Sequence, residues 1–359
     1  MNGPFRIAFF SRDLDIGGIE KVFLDYANYL SHEHEVSFIL GNKKGGLLPL
    51  VDPSIKIYEL ASDRLKKNLF SLVKVLREKK FDVVISGSEN CNILLALANS
   101  LCLRKTKIIS SQHSFLNSDT SGFIHNHLLP WALKRSSITL CVSKGIKDML
   151  LDMKLKPAKL EVLYNPIDRE RIITCSKEKV GDLGSYIVFV GRMFPVKNVP
   201  FLFQSFQRFL KDHPSFKLVL VGDGPETGKL KRKAEELGLQ EHLVWVGATR
   251  NPYPYIAGAE LLALSSLSES LSNVVLEALC LGKTVVSTPC TGPIEILHAP
   301  TYGYVSNSFE DCEAFADLMS HAIEHRIPSS VLSEYSEKFS ISVSAQKLST
   351  IINQVIRSK

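Results

Sequence analysis

The first half of the chain alternates short apolar runs with longer amphipathic segments. The short runs are rich in β-branched and aromatic residues, as strands are, and they read RIAFFS, EVSFIL, KIYEL, DVVISGS, KIISSQH, ITLCVS and LEVLYN. Apolar residues at helical spacing recur between them, in GGIEKVFLDYANYLS, DRLKKNLFSLVKVLREKK, NCNILLALANSL, GFIHNHLLPWALKR and KGIKDMLLDMK. Several strands are apolar at almost every position, which is typical of a sheet that helices cover on both faces. The pattern therefore predicts a doubly wound parallel α/β sheet.

This alternation lapses once and then begins again. The stretch DRERIITCSKEKVGDLGS is charged and lacks apolar periodicity, so we interpret residues 169–184 as an interdomain linker. Beyond it, strand-like runs recur as YIVFVGR, FKLVLVGDG, HLVWVGA, ELLALSS, TVVSTP and GYVS. We predict two Rossmann-like domains facing a cleft, over residues 1–168 and 185–340, with a final helix over 341–359 that returns toward the first domain. Sites are expected at the carboxyl ends of the strands, where open parallel sheets bind ligands.

The composition fits this architecture. The chain has 359 residues, 45% of them apolar and 22% charged, which suits about two folded domains and argues against disorder. Its seven cysteines include no CxxC pair, so free thiols in a reducing compartment are expected. The amino-terminal MNGPFRIAFF enters a strand without an apolar leader, and no apolar run approaches the roughly 20 residues of a membrane span. These features predict a cytoplasmic protein.

Positive charge is concentrated in the first half of the chain. Residues 1–165 contain 23 Lys and Arg against 16 Asp and Glu, a balance of +7, whereas the remainder has 20 against 21. One helical segment of this half, residues 62–80, has an apolar stripe that we expect to pack on the sheet. The cations of this segment and of a later one are Lys66, Lys67, Lys74, Arg77, Lys79, Lys80, Arg104, Lys105 and Lys107. They predict binding to an anionic membrane surface, with a solvated helix face as the alternative. No aromatic residues are interleaved with them, so nucleic acid is not an expected partner.

Glycines and acidic residues follow the first strand. Gly17 and Gly18 open a helix whose first backbone amides can bind an anion such as a phosphate, although a tight turn explains the glycines equally well. Asp13 and Asp15 resemble a metal-binding DxD motif, but acidic loop residues are usually only solvated. The histidine clusters HEHE and HNH lack the spacing that zinc sites require. We therefore predict no bound metal.

Further candidates follow other strands. Arg192 and Lys197, in VFVGRMFPVKN, lie near the start of a helix and together suit a diphosphate; exposed surface cations are the alternative. His113 ends the strand-like run KIISSQH, where a structural role is the alternative to one in catalysis. The VGDGPE turn adds a glycine pair that is weak support on its own.

Two glutamates eight residues apart are the last candidates. Glu269 follows the strand ELLALSS, and Glu277 lies in the early turns of the helix SNVVLEALCLG. A carboxylate can accept hydrogen bonds from two vicinal hydroxyls, which a sugar or a ribose presents. Ser272 or Asn273 is expected to cap this helix, leaving its first amides, at Asn273 and Val274, for a phosphate. The alternative is that both glutamates are ordinary solvated residues.

Taken together, these motifs resemble the retaining GT-B glycosyltransferases of family 4. The resemblance runs over nearly the whole chain, through GGIEK, SQHS, NPID, GRMFPVKN, VGDGPE and the spacing of the two glutamates. It implies that Gly17 and Gly18 approach the donor diphosphate and the acceptor. It also implies that Arg192 and Lys197 neutralise the diphosphate as it leaves.

The resemblance assigns the sugar side of the site as well. Glu277 is expected to bind the ribose, and Glu269 and His113 to face the transferred sugar. Family members commonly carry glycine directly after the first glutamate, whereas this chain has Ser270, and serine resists a positive φ. The local geometry of sugar binding is therefore expected to differ here.

The implied function is transfer of a hexose or N-acetylhexosamine from a UDP-sugar to a glycan or lipid-linked acceptor. Such transfer serves the assembly of a cell-surface polysaccharide, such as lipopolysaccharide, or of a glycolipid. No cofactor is expected besides the donor substrate, and front-face attack with retention is expected because no second nucleophilic carboxylate is evident. A UDP-sugar epimerase and a non-catalytic nucleotide-sugar-binding adaptor stay open as alternatives. Family members with lipid-linked acceptors commonly dock on the membrane, which predicts a peripheral location at the inner face of the cytoplasmic membrane.

Overall fold

The computed structural model describes residues 3–60, 62, 64–103, 105–116, 127–156 and 159–358. Its chain divides into two compact units, each built on one parallel sheet. The first comprises Met1–Pro166 and Ile341–Lys359, and the second comprises Ile167–Ser340. Arg104, the side chain of Lys66 and most of the HNH cluster lie outside the described residues.

In the first unit, the described strands follow the order β3-β2-β1-β4-β5-β6-β7. They are β1 (Arg6–Ser11), β2 (Glu35–Leu40), β3 (Lys56–Glu59), β4 (Val83–Ser86), β5 (Lys107–Gln112), β6 (Ile138–Cys141) and β7 (Leu160–Val162). Each lies inside a run that the alternation predicts as a strand, so the predicted parallel fold is confirmed. Because β1 lies between β2 and β4, the strand order reverses at β1, and such a reversal is where open α/β sheets bind ligands.

Helices cover both faces of this sheet. Those described between its strands are α1 (Gly18–Leu30), α2 (Leu69–Lys79), α3 (Glu89–Ser100), α4 (Leu129–Arg135) and α5 (Lys144–Asp152). On one face, α1 packs Phe23 against Phe9 of β1, with ring centroids 5.2 Å apart. On the other face, Leu72 of α2 and Leu95 of α3 share a separate core with Phe10 of β1. Burial on both faces explains why consecutive positions of β1 are apolar.

In the second unit, the described strands follow the order β10-β9-β8-β11-β12-β13. They are β8 (Tyr186–Val190), β9 (Lys217–Val221), β10 (Leu243–Gly247), β11 (Leu261–Leu264), β12 (Thr284–Ser287) and β13 (Tyr304–Val305). The helices are α6 (Arg169–Cys175), α7 (Val199–Phe209), α8 (Thr227–Glu236), α9 (Tyr253–Gly258), α10 (Asn273–Cys280), α11 (Thr291–Leu297), α12 (Cys312–Glu324) and α13 (Ser329–Ser336). Phe203 and Phe206 of α7 share a core with Phe189 of β8. The strand order reverses at β8, as it does at β1 in the first sheet.

The segment predicted as a linker is partly helical. Arg169–Cys175 forms α6, and the side chain of Asp168 caps its amino terminus. Arg169 makes an ion pair with Glu337 of the same unit, at 2.7 Å. The linker prediction is therefore wrong over this helix, whose charges make contacts within the second unit. Apolar periodicity fails to reveal α6 because Ile172 is its one buried residue.

The last helix, α14 (Ile341–Arg357), belongs to the first unit. Its Leu348 and Ile352 join the core that α1 covers. Lys347 donates a hydrogen bond to the backbone carbonyl of Val162 at the end of β7, at 2.7 Å. The described part of the chain contains no helix that is both long and apolar enough to cross a membrane.

Candidate functional site

The carboxyl edge of the first sheet carries the candidate glycines. Gly18 begins α1, and Gly17 is its N-cap residue, with an extended backbone and no side-chain cap. The first amides of a helix have no intrahelical partner, so this turn has the donors that an anion requires. Gly87, which sequence reasoning missed, lets α1 come close to β4. A Cβ at Gly87 would meet Phe23 at 2.6 Å and Ile19 at 2.7 Å.

His113 stands one residue beyond β5. Its Nε2 lies 2.8 Å from the hydroxyl oxygen of Ser111. Its ring meets Phe23 edge-on, with centroids 6.2 Å apart, and lines a small, mainly apolar cavity that Tyr26 and Leu140 also line. Burial lowers the pKa of His113 to about 4, so the imidazole is neutral at neutral pH. A neutral imidazole can exchange hydrogen bonds with a sugar hydroxyl but brings no positive charge to a phosphate.

The acidic residues after β1 stabilise their own loop. Asp13 is buried, and its carboxylate makes an ion pair with Arg12 at 2.9 Å. The same carboxylate accepts a hydrogen bond from the backbone N–H of Asp15 at 3.3 Å. Over the described ranges, no group of three or more His, Cys, Asp or Glu side chains is placed to hold a metal ion.

In the second unit, the turn after β9 supports the turn after β8. Gly222 and Gly224 lie where the backbone of Gly191 and Met193 passes, and a Cβ would come within 2.0 Å and 2.5 Å of it, respectively. Only glycine fits such an approach. The VGDGPE turn therefore fixes the backbone on either side of Arg192, a role that its sequence did not reveal.

Lys197 makes an ion pair with Glu269. Its Nζ lies 2.5 Å from Oε1 of Glu269, and the hydroxyl of Ser266 donates to the same oxygen at 2.7 Å. The two charged side chains are only 21% and 12% exposed, respectively. Arg192 is exposed instead, and its guanidinium lies over the ring of Phe194, 5.2 Å from the centroid. The two cations expected to share one diphosphate therefore have different surroundings.

A buried set of hydrogen bonds holds the loop that carries Glu269. The backbone carbonyl of Ser266 accepts from Oγ1 of Thr288 at 2.5 Å and from Sγ of Cys290 at 3.0 Å. The backbone N–H of Gly292 donates to the carbonyl of Glu269 at 3.0 Å. Because the side-chain bonds to Lys197 and Ser266 both fall on Oε1, the Oε2 atom of Glu269 is the one placed to accept from a ligand. Sequence reasoning missed Ser266 and Thr288, although each closely follows a buried strand.

Glu277 lies within α10 and is only 5% exposed, which excludes an ordinary surface glutamate. Asn273 and Val274 begin this helix, with Ser272 at the N-cap position. Ser272 thus holds the cap position, as one of the two expectations has it, but its side chain makes no capping hydrogen bond, and Asn273, the other candidate, is the first helical residue. The φ of Ser272 is +76°, whereas Ser270 is not among the described residues with positive φ. Ser270 thus avoids the positive φ that serine resists, and the left-handed residue of this loop is Ser272.

Two family descriptions match this sequence, one in each half. Residues 16–171 match Glycosyltransferase Family 4. Residues 176–339 match Glycosyl transferases group 1. Together they span both compact units.

Individual relatives and a solved structure agree with these matches. The chain is 27% identical over 300 residues to the N-acetylgalactosamine-N,N'-diacetylbacillosaminyl-diphospho-undecaprenol 4-alpha-N-acetylgalactosaminyltransferase of Campylobacter jejuni, covering 79% of this chain and 80% of that one. It is 24% identical over 359 residues to the lipopolysaccharide 1,6-galactosyltransferase of Escherichia coli, covering 93% and 95%. The structure of HepE from Anabaena with UDP-glucose superimposes with a TM-score of 0.84 at 16% identity, covering 98% of this chain and 100% of that one. The chain therefore belongs to the family 4 glycosyltransferases of GT-B fold.

Proposed function

We propose that this glycosyltransferase moves a hexosyl or N-acetylhexosaminyl group from a UDP-sugar to a glycan or lipid-linked acceptor, with retention of anomeric configuration. The observation that carries the proposal is the contact of Lys197, Glu269 and Ser266 at the carboxyl edge of the second sheet, close in sequence to Arg192. The name of one relative and the ligand of a similar solved structure support these substrates. The Campylobacter jejuni relative is named for a diphospho-undecaprenol acceptor, and the Anabaena structure holds UDP-glucose.

The proposed donor contacts follow from the surroundings of each side chain. Arg192 is exposed and has the planar fork that suits a diphosphate. The amides that begin α10, at Asn273 and Val274, are donors for the same group. Glu277, buried on α10, suits the ribose hydroxyls, and Oε2 of Glu269 suits the hydroxyls of the transferred sugar.

The proposed reaction is a front-face displacement that requires no covalent glycosyl-enzyme. The acceptor hydroxyl attacks the anomeric carbon from the side of the departing diphosphate, and its proton passes to a phosphate oxygen. The glycosidic bond to the acceptor forms as the bond to the diphosphate breaks. Arg192 and Lys197 stabilise the charge that develops on the diphosphate, which is the kind of electrostatic contribution that lowers such barriers most. No bound metal is proposed for this role.

The basic surface of the first unit is proposed to bind an anionic membrane, where a lipid-linked acceptor lies. Leu72 and Leu76 of α2 are buried, so its apolar stripe packs on the sheet. Lys74 and Arg77 are exposed on the opposite side of the helix, and Phe70, one turn before Lys74, is 79% exposed. Phe70 lies between Lys67 and Lys74 in the sequence, so the expectation that no aromatic residue is interleaved with these cations is wrong. An exposed ring among cations suits the interface of an anionic bilayer.

A thermal-shift comparison of UDP, GDP and ADP, each with and without EDTA, tests the donor proposal. A nucleotide at 100 times its Kd stabilises the folded state by about 2.7 kcal/mol, so a bound one is easily detected. UDP is expected to raise the Tm most. The Glu277→Ala variant should lose this shift, and Glu235→Ala on the exposed face of α8 should keep it. Equal shifts with all three nucleotides, or none, would contradict the proposal. Conversion of a UDP-sugar without any acceptor would favour an epimerase instead.

A further inference from the structure

Ser111 and His113 are two residues apart at the carboxyl end of β5. Residues i and i+2 of an extended chain point to the same side, which brings the Ser111 hydroxyl to 2.8 Å from Nε2 of His113. Ser111 is 5% exposed. No comparison or motif assigns this serine a role.

The direction of this hydrogen bond can be derived. A buried hydroxyl needs an acceptor for its hydrogen, since leaving it unpaired costs about 1–3 kcal/mol. Within the described part of the chain, Nε2 of His113 is the partner that the structure gives the Ser111 hydroxyl. The hydroxyl therefore donates to Nε2, and a ring nitrogen that accepts carries no proton. In a neutral imidazole the proton then lies on Nδ1.

We propose that Ser111 is a positioning residue that holds His113 as the neutral tautomer protonated at Nδ1. The ring proton then lies on Nδ1. Any contact of the imidazole with the transferred sugar rests on the proposed function, whereas the tautomer itself does not. Burial of the ring, which lowers the pKa of His113, agrees with the neutral form.

A buried network holds Ser111 in place. Its backbone carbonyl accepts from the side-chain amide of Asn92 on α3 at 3.2 Å. The carbonyl oxygen of that amide accepts from the hydroxyl of Ser86 on β4 at 2.6 Å. Ser86 and Asn92 are fully buried. Ser111 also pairs with Leu140 of β6, so a neighbouring strand and a helix both hold its backbone.

Nitrogen NMR of the histidine rings tests the tautomer directly. The protein is labelled with ¹⁵N-histidine, and the His113 signals are assigned by their loss in His113→Gln. The wild type should show Nδ1 in the protonated range and Nε2 in the unprotonated range. Ser111→Ala should shift the His113 signals toward the other tautomer, and Ser111→Thr should retain the wild-type pattern.

A matched control lies one residue away. Ser110 is fully buried on the same strand, but its hydroxyl contacts Ser136 at 2.6 Å. Ser110→Ala should leave the His113 signals unchanged. Protonated Nε2 in the wild type would overturn the proposal, and so would an unchanged tautomer in a folded Ser111→Ala protein.

Kinetics separate this proposal from the proposed function. Ser111→Ala should lower kcat roughly tenfold, with UDP-induced stabilisation unchanged and with activity restored in Ser111→Thr. Full activity of His113→Gln would remove His113 from the proposed donor site, yet the NMR result on Ser111 would stand.

Discussion

The half-buried ring of His113 should make the stability of the first unit depend on pH. The pKa of His113 is about 4 in the folded chain, against an ordinary value of about 6.5. Between these two values the unfolded chain binds a proton that the folded chain does not, so the free energy of unfolding falls as pH falls. The stability that the folded chain has with a neutral His113 is fully present above pH 6.5. Its loss is complete only below pH 4, where the folded chain also binds the proton.

The magnitude follows from the two pKa values. One pKa unit corresponds to about 1.4 kcal/mol, so the complete effect approaches about 3 kcal/mol. At pH 5 the unfolded histidine is almost fully protonated and the folded one is mostly neutral. Integrating the difference in bound protons from pH 7 to pH 5 gives a loss of about 2 kcal/mol.

Urea unfolding followed by tryptophan fluorescence measures this loss. The chain has two tryptophans, Trp131 on α4 of the first unit and Trp245 on β10 of the second. In a Trp245→Phe background, the emission of Trp131 reports the first unit alone. Between pH 7 and pH 5, the free energy of unfolding should fall by about 2 kcal/mol more in the protein that retains His113 than in the His113→Gln variant.

One outcome would refute this argument. If His113→Gln loses as much stability between pH 7 and pH 5 as the wild type does, the ring of His113 titrates at its ordinary value and the argument from burial fails.

Four further predictions concern donor, metal and membrane. Arg192→Ala should lower kcat by roughly 10²-fold with little change in Tm, and near-normal turnover would remove it from the diphosphate. Glu277→Ala should weaken UDP itself, whereas Glu269→Ala should spare UDP and impair transfer; equal small effects would make both glutamates structural. Activity should survive EDTA, and a loss that manganese restores would contradict the metal-free proposal. Binding to anionic vesicles should weaken with added salt. It should also weaken tenfold or more in a Lys74→Glu/Arg77→Glu variant, because each basic residue near the bilayer contributes about 1 kcal/mol. Binding that changes in neither experiment would show that these charges are only solvated.

The fold was predictable because its central strands, such as β1, β4, β8 and β11, are buried on both faces. A run such as RIAFFS is apolar at most positions and therefore stands out from the amphipathic segments that follow it. The observed strand β1 coincides with this run over Arg6–Ser11. The segment 169–175 was missed for the opposite reason. Its helix is held by a capping aspartate and by the ion pair of Arg169, and neither leaves an apolar repeat. Only contacts distant in sequence distinguish such a helix from a linker.

The candidate site was predictable at the level of single residues, not of their pairing. Strand ends and glycine turns pointed to His113, Arg192 and Glu269 as candidates, and the structure shows that they follow β5, β8 and β11. The partners that orient these residues are serines and glycines, which are too common in loops to stand out. The roles of Ser266 and Gly87 emerge only from the structure. The Ser266 hydroxyl lies 2.7 Å from Oε1 of Glu269, and a Cβ at Gly87 would come within 2.6 Å of Phe23.

The ion pair of Lys197 with Glu269 bears on how the proposed donor site would bind a diphosphate. Without a ligand, the charge of Lys197 is already compensated, and the carboxylate is only 12% exposed. A diphosphate that draws Lys197 away would leave Glu269 as a nearly buried charge with one partner fewer, which is costly unless another donor holds it. Ser266 fills that need, because its hydroxyl donates to the same oxygen and its own carbonyl is fixed by Thr288. In the proposed donor site, Lys197 would then be able to turn toward a phosphate while the hydroxyl of Ser266 keeps Glu269 in place.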